Sequence, residues 1–204
     1  MEMNINSADK WEADYLRGTD GWDLGGPNPV FSNLLASSRF TPGTMIVLGA
    51  GRGHDAREFA RYGFQVTAVD FSPSAAREME RLSEPDAPIS ILQHDLFTLS
   101  QSLNASFDYV LEYTCYCAID PQRHAEFADL VARLLKPGGL YISLAFPLSH
   151  HTSGPPFAVS VPEVLKLFQE RNFTLLERKK PTDSIRPRSG REELLLLEKK
   201  QGLR

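Results

Sequence analysis

Residues 45–55 read Met45-Ile46-Val47-Leu48-Gly49-Ala50-Gly51-Arg52-Gly53-His54-Asp55. The opening apolar run, with β-branched Ile46 and Val47, is what a strand buried on both faces requires. Glycines follow at alternate positions, where the backbone must turn sharply and a Cβ would collide with a closely held ligand. A helical pattern over 54–62 comes next and is stopped by Gly63. Phe64–Val69 is a second strand, and Asp70 closes it. Strand, glycine turn, helix and strand make one parallel unit. An acid ending the second strand can accept hydrogen bonds from both hydroxyls of a ribose.

The same alternation extends in both directions. On the N-terminal side, a helix is predicted over Ser7–Arg17, with Ser7 as N-cap and Gly18 as stop. Residues 18–28 form an irregular Gly- and Asp-rich loop, and Asn28-Pro29 starts a short helix to about Ser38. On the C-terminal side, Ser72-Pro73 starts a helix to Leu82. Strands are predicted at Ile89–Gln93, Phe107–Leu111 and Leu140–Ala145. Asp120-Pro121 starts a helix to Leu135, closed by Lys136-Pro137-Gly138-Gly139. Ser160 with Glu163 has capping-box spacing for a helix to Arg171. The last strands, Phe173–Arg178 and Glu192–Glu198, have no helix between them and so pair as an antiparallel ribbon. The fold class is therefore α/β: a doubly wound, mostly parallel seven-stranded sheet with a C-terminal antiparallel hairpin. Ligands of such sheets sit beyond the carboxyl ends of the strands, where strand order reverses.

A glycine turn is weak support for a nucleotide ligand, but an acid at the end of the next strand strengthens it. A nicotinamide dinucleotide fingerprint spaces its last two glycines as G-x-x-G. Here the spacing is G-x-G-x-G, with His54 where that pattern wants glycine, and the chain ends in a hairpin. Both features favour a different adenosine-type ligand. The third strand leads into His94-Asp95-Leu96-Phe97. There Asp95 either bonds an adenine amino group or caps a turn, and the apolar residues can sandwich a ring.

The chain has 204 residues, 42% of them hydrophobic, which suffices for one domain spanning 1–204 with an N-terminal extension over 1–40. A net charge of −4 argues against a nucleic-acid partner. No apolar run is long enough for a membrane helix and no secretory signal opens the chain, so a cytoplasmic setting is expected. Cys115 and Cys117, placed on one strand face, would have parallel Cβ vectors and Cα atoms too far apart to pair, so a packed role is expected. His150-His151 lack a third ligand at useful spacing and read as a solvated loop rather than a metal site.

The chain resembles the class I methyltransferases, and within them the thiopurine/thiol/halide methyltransferase superfamily. The resemblance runs through Trp11-Glu12, Gly21–Gly25, Val47–Asp55, Val69-Asp70, Phe107–Tyr113, Cys117–Pro121, Leu134–Gly139, Gly154–Phe157 and Ile185–Glu192. The glycine turn belongs to the whole class. The N-terminal tryptophans and Gly154-Pro155-Pro156-Phe157 are narrower. The resemblance implies S-adenosylmethionine as donor, S-adenosylhomocysteine as product, no metal, and a small-molecule methyl acceptor, a thiol first and a halide, metalloid, amine or oxygen nucleophile as the alternative. A monomer or weak dimer is expected.

By the same resemblance, Gly49 and Gly51 line the methionine part of the donor, Asp70 with Phe71 holds the ribose, and Asp95 and Leu96 flank the adenine. Trp11, Tyr15 and Trp22 close over the donor, and Glu112 and Tyr113 touch it after the fourth strand. Tyr113, Tyr116, Phe146, Phe157 and Arg188 are the candidate acceptor pocket. Tyr15 stands where plant members have tryptophan. Phe146 stands where they have a tyrosine thought to help hold the acceptor, which weighs against halide. No paired carboxylates or Ser-His-Asp set emerges from the spacing. A thiol of low pKa is already partly thiolate and demands no strong base.

Overall fold

The computed structural model describes residues 4–149 and 153–201. His150 and His151, read above as a solvated loop, lie outside the described residues. The strands are β1 (Thr44–Leu48), β2 (Gln65–Asp70), β3 (Ile89–Gln93), β4 (Phe107–Tyr113), β5 (Leu135–Ala145), β6 (Phe173–Lys179) and β7 (Glu193–Lys199). The helices are α1 (Ala8–Arg17), α2 (Pro29–Ala36), α3 (His54–Arg61), α4 (Pro73–Arg81), α5 (His124–Leu134) and α6 (Val161–Gln169). They form the expected α/β sheet, in the order β3-β2-β1-β4-β5-β7-β6. β1 to β5 pair in parallel, and β7 runs antiparallel between β5 and β6. Strand order reverses between β1 and β4, so the crevice lies at their carboxyl ends, beside those of β2 and β3.

Local chemistry accounts for the helix ends. Ser7 accepts from the Asp9 N–H, and Gly18 takes the left-handed conformation (φ 65°) that ends α1. Asn28 caps α2 by accepting from Val30, and Ser72 caps α4 by accepting from Ala75, each followed by proline at the first position. The two faces of the sheet are packed separately. Phe127, Val131 and Phe168 from α5 and α6 cover Tyr141 on one side. Phe31, Phe59 and Met79 from α2, α3 and α4 cover Met45 and Leu111 on the other. Burial of these side chains stabilises the sheet by about 1.5–3 kcal/mol each.

Four expectations are corrected in detail. The helix predicted from Asp120-Pro121 opens instead as a 3-10 turn over Pro121–Arg123, and α5 begins at His124. Lys136–Gly139 does not separate helix from strand but is a wide bulge inside β5: Phe107 pairs with Leu135 and Tyr109 with Leu140. Pro137 has no N–H for the ladder, Gly138 has φ 80°, and Lys136 turns back to pair with Asp108 at 2.8 Å. Ser160 stands at the N-cap of α6, but its hydroxyl makes no cap bond. Pro162 removes the second-position N–H that a cap oxygen would serve. Finally, Cys115 and Cys117 leave the strand altogether. β4 ends at Tyr113, Thr114 takes φ 59°, and Tyr116–Ala118 winds into a 3-10 turn. Both thiols are free and buried.

Candidate active site

A cleft of about 550 Å³ opens at the carboxyl ends of the strands. One wall begins at the glycine turn. Gly49 and Gly51 have φ of 61° and 56°, in the left-handed region that side chains resist. A Cβ on Gly49 would lie 2.7 Å from the Cys115 Sγ, so no larger residue fits there. Asp70, at the end of β2, is 8% exposed. Its Oδ2 accepts from the Gly51 N–H at 2.9 Å and its Oδ1 from the Ser72 N–H at 3.0 Å. Burial pushes the Asp70 carboxyl upward, and these backbone N–H groups pull it back. The carboxylate thus ties the glycine turn to the start of α4 while facing the cleft.

The N-terminal segment forms the roof. Trp22 meets Trp11 and Tyr15 edge-on, each at 5.4 Å between centroids. The Trp22 Nε1 donates to the Tyr15 hydroxyl at 3.2 Å, and the Trp11 Nε1 to the Ile5 carbonyl at 2.9 Å. Burial raises the Tyr15 phenol, which therefore stays protonated. Glu12 docks α1 on the first turn of α4: its Oε2 accepts from Ser72 Oγ at 2.6 Å and the Ser74 N–H at 2.8 Å. A carboxylate at a helix N-terminus is favoured by the helix dipole. The loop after α1 is held by Arg52, which pairs with Asp20 and, at 2.7 Å, with Asp23.

The third strand supplies a mostly apolar corner. Asp95 lines the cleft, and its Oδ1 caps the turn over Leu96–Thr98 by accepting from the Phe97 N–H at 2.9 Å. Arg123 lies 3.5 Å over the Phe97 ring. At the opposite end, Phe146 is flanked by the guanidiniums of Arg188 and Arg191, at 4.8 and 5.4 Å from its centroid. Pro155, Pro156 and Pro187 complete that end. Arg188 is 6% exposed and donates to the Trp22 carbonyl at 2.9 Å and to the Tyr113 hydroxyl. The Tyr113 hydroxyl in turn donates to Glu192.

Of the residues expected at the site, Trp11, Tyr15, Trp22, Gly49 and Asp70 line the cleft. So do Phe71, Asp95, Leu96, Phe146 and Arg188. Gly51 and Tyr113 line a smaller recess of about 60 Å³, which shares Trp22, Gly49 and Thr114 with the cleft. Glu112, Tyr116 and Phe157 are in neither wall. Glu112 is 1% exposed and bonded within the sheet, and Tyr116 stacks on His124 at 4.0 Å in the core. Phe157 is anchored by its N–H to the Cys117 carbonyl at 2.7 Å. Sequence reasoning did not single out Glu12, Arg123, Arg191 or Glu192. Arg191 could have been found from its place in the same basic stretch as Arg188. Nothing local marks Glu192, whose role depends on Tyr113, far away in the chain.

The cleft's chemistry fits S-adenosylmethionine. The buried Asp70 carboxylate is an acceptor for hydroxyls, and an apolar corner with Leu96 and Phe97 suits a flat ring. A cluster of aromatic rings suits a cationic sulfur. Among the described residues no group of side chains could hold a metal ion, and no helix is long and apolar enough to cross a membrane.

The similarity to known proteins is extensive. The model of the thiopurine S-methyltransferase family matches residues 6–200. A protein of Arabidopsis thaliana named probable thiol methyltransferase 2 is 34% identical over 195 residues, covering 94% of this chain and 85% of its own. Thiocyanate methyltransferase 1 of Brassica oleracea is 32% identical over 187 residues, covering 90% and 82% respectively. Among solved structures, the 1,6-didemethyltoxoflavin-N1-methyltransferase of Burkholderia thailandensis, with S-adenosylhomocysteine bound, shares the fold at a TM-score of 0.72. Its identity is 22%, with 96% of this chain and 87% of that one covered. The fold, the cleft and a family match over nearly the whole chain agree: the protein belongs to the thiopurine S-methyltransferase family and is an S-adenosylmethionine-dependent methyltransferase.

Proposed function

We propose that the protein methylates the sulfur of a small thiol, taken as its thiolate. The observation that carries this reading is the make-up of the Phe146 end of the cleft. It presents an aromatic ring and two guanidiniums, with Pro155, Pro156 and Pro187 also in the cleft wall; the carboxylate that meets them among the described residues, Glu192, is held by the Tyr113 hydroxyl. Such an end attracts a polarisable anion. The relatives' names, a thiol and a thiocyanate methyltransferase, point to sulfur-containing acceptors as well.

When bound, S-adenosylmethionine supplies a methyl group on a sulfonium whose positive charge disappears on transfer. Asp70 accepts from the ribose hydroxyls, and the glycine turn lets the methionine part approach the backbone. Leu96 and Phe97 flank the adenine, while Trp11, Tyr15 and Trp22 cover the donor. Their closure excludes water, which strips the thiolate of hydration and raises its reactivity. Arg188 and Arg191 draw the anion to the Phe146 ring, and the walls align it with the methyl group. Cys115 and Cys117 also line the cleft, but burial raises both thiols, so neither competes as a nucleophile. Phe146 has no hydroxyl with which to hold a halide, so iodide is expected to turn over more slowly than a thiol.

The test is an acceptor panel of thiophenol, hydrosulfide, thiocyanate, a thiopurine, iodide, a primary amine and a catechol, read by release of S-adenosylhomocysteine. Thiols are expected to lead. Turnover of the amine or catechol with none of the sulfur compounds would overturn the reading.

A further inference from the structure

Glu112 is the penultimate residue of β4 and has no place in the walls of the cleft. Its Oε1 accepts from the Ser143 hydroxyl and, at 3.4 Å, from the Tyr141 hydroxyl, both on β5. Its Oε2 accepts from the Tyr116 N–H at 3.0 Å, in the turn that follows β4. Two hydroxyls of β5 and one backbone N–H of that turn therefore meet on one carboxylate. That turn begins at Thr114, a β-branched residue with φ 59°, a conformation of low intrinsic population that persists only where its surroundings enforce it.

The turn touches both halves of the site. On one side Cys115 packs against the glycine turn, so closely that a Cβ on Gly49 would strike its Sγ. On the other, the Cys117 carbonyl accepts from the Phe157 N–H at 2.7 Å and so holds the segment carrying Pro155 and Pro156. A single buried carboxylate therefore fixes the backbone that spans from the glycine turn to the proline segment.

We propose that Glu112 is a positioning residue for methyl transfer, setting through the Thr114–Ala118 turn the separation between the donor-side glycine turn and the acceptor-side Gly154–Phe157 segment. The inference rests on the placement of donor and acceptor given above. An in-line displacement is sensitive to that separation, since a misplacement of about 1 Å can cost about 100-fold in rate. Glutamine in place of Glu112 keeps the shape but turns an amide NH2 toward one pair of donors, which loosens the turn without emptying the core.

The experiment compares wild type with Glu112→Gln at a temperature well below either Tm, measuring kcat, donor Kd by calorimetry, and Tm. The expected result is a fall in kcat of about 10–100-fold with donor Kd within about threefold of wild type. A lowered Tm with kcat within about twofold of wild type would make Glu112 purely structural and overturn the proposal. A donor Kd weakened as much as kcat would also overturn it, because Glu112 would then act through donor binding alone. Should Glu112→Gln fail to fold, Ser143→Ala removes one of the same bonds, and there an unchanged kcat overturns the proposal while a several-fold loss at constant donor Kd supports it. Failure of the donor placement itself would show separately, as unchanged donor affinity in Asp70→Ala.

Discussion

The guanidinium of Arg188 donates a 2.9 Å hydrogen bond to the main-chain carbonyl of Trp22, joining the C-terminal basic segment to the N-terminal roof across nearly the whole chain. The same side chain reaches the Tyr113 hydroxyl and lies over the Phe146 ring, so roof, sheet and acceptor end meet at one cation. Arg188 makes no direct ion pair among the described residues, although Asp55 interacts with it through space and Glu192 accepts from the same Tyr113 hydroxyl. Arg188 is thus a buried cation that lines the cleft.

Replacing Arg188 with lysine is expected to raise the acceptor KM by about tenfold or more, because a single ammonium cannot serve Trp22, Tyr113 and the anion together. Arg191→Ala, which leaves the roof contact intact, should raise the acceptor KM with little change in donor Kd. Steady-state kinetics with thiophenol and calorimetry with the donor check both. An acceptor KM unmoved by either change would remove the guanidiniums from acceptor binding.

Asp70→Ala is expected to weaken donor binding by about 1–3 kcal/mol through loss of a charged hydrogen-bond partner. Asp70→Asn should fall between, since its oxygen can still accept from one of the Gly51 and Ser72 N–H groups. Calorimetric titration with S-adenosylmethionine measures the difference, and unchanged affinity would refute the ribose role.

The Arg52 clamp on Asp20 and Asp23 gives a salt-dependent prediction. The His54 imidazole, 3.3 Å from Asp23, together with the Gly25 N–H and Arg52, holds the Asp23 carboxyl down to about 2, so Asp23 is charged at neutral pH. Arg52→Ala should weaken donor binding by about 1 kcal/mol at low salt. Added salt screens partly exposed pairs, so the gap between wild type and variant should narrow between about 0.05 and 1 M. A gap that salt does not touch would mean the clamp acts through packing alone.

Asp55 carries a pH signature. Its Oδ1 accepts from the Asn28 N–H at 2.7 Å, and burial pushes its carboxyl up to about 6. The folded state holds this proton more tightly than the unfolded chain, where aspartate titrates near about 3.9. Its stabilising contribution is therefore complete below about pH 4 and lost as pH rises to about 6. Asp55→Asn keeps the acceptor oxygen and removes the titration. The Tm of the variant minus that of wild type should rise from pH 4 to pH 7, by the equivalent of about 1–3 kcal/mol. A difference that stays flat across this range would show that Asp55 titrates normally.

Much of this architecture was legible from short stretches of chain. Ser7, Gly18, Asn28-Pro29 and Ser72-Pro73 mark helix ends through side chains that act on backbone only a few residues away. Apolar runs mark buried strands, and the glycine turn with Asp70 marks the ligand crevice because both lie within one strand–helix–strand unit. The bulge at Lys136–Gly139 escaped that logic, since a Pro-Gly-Gly run reads the same whether it separates a helix from a strand or interrupts a strand. So did the departure of Cys115 and Cys117 from the strand, because Thr114 adopts a conformation that its β-branched side chain disfavours.

The sequence by itself determined the α/β class, the order of its elements, the family, and the crevice where a donor would sit. Tertiary structure alone decided how the site is held together. Glu12 reaching Ser72 and Ser74, Arg188 reaching Trp22, Tyr113 reaching Glu192, and Glu112 gathering donors from β5 and the following turn all join residues far apart in sequence. Periodicity and capping report interactions within a few residues. Which buried carboxylate meets which distant donor depends on how strands register and helices pack, and no local pattern encodes that.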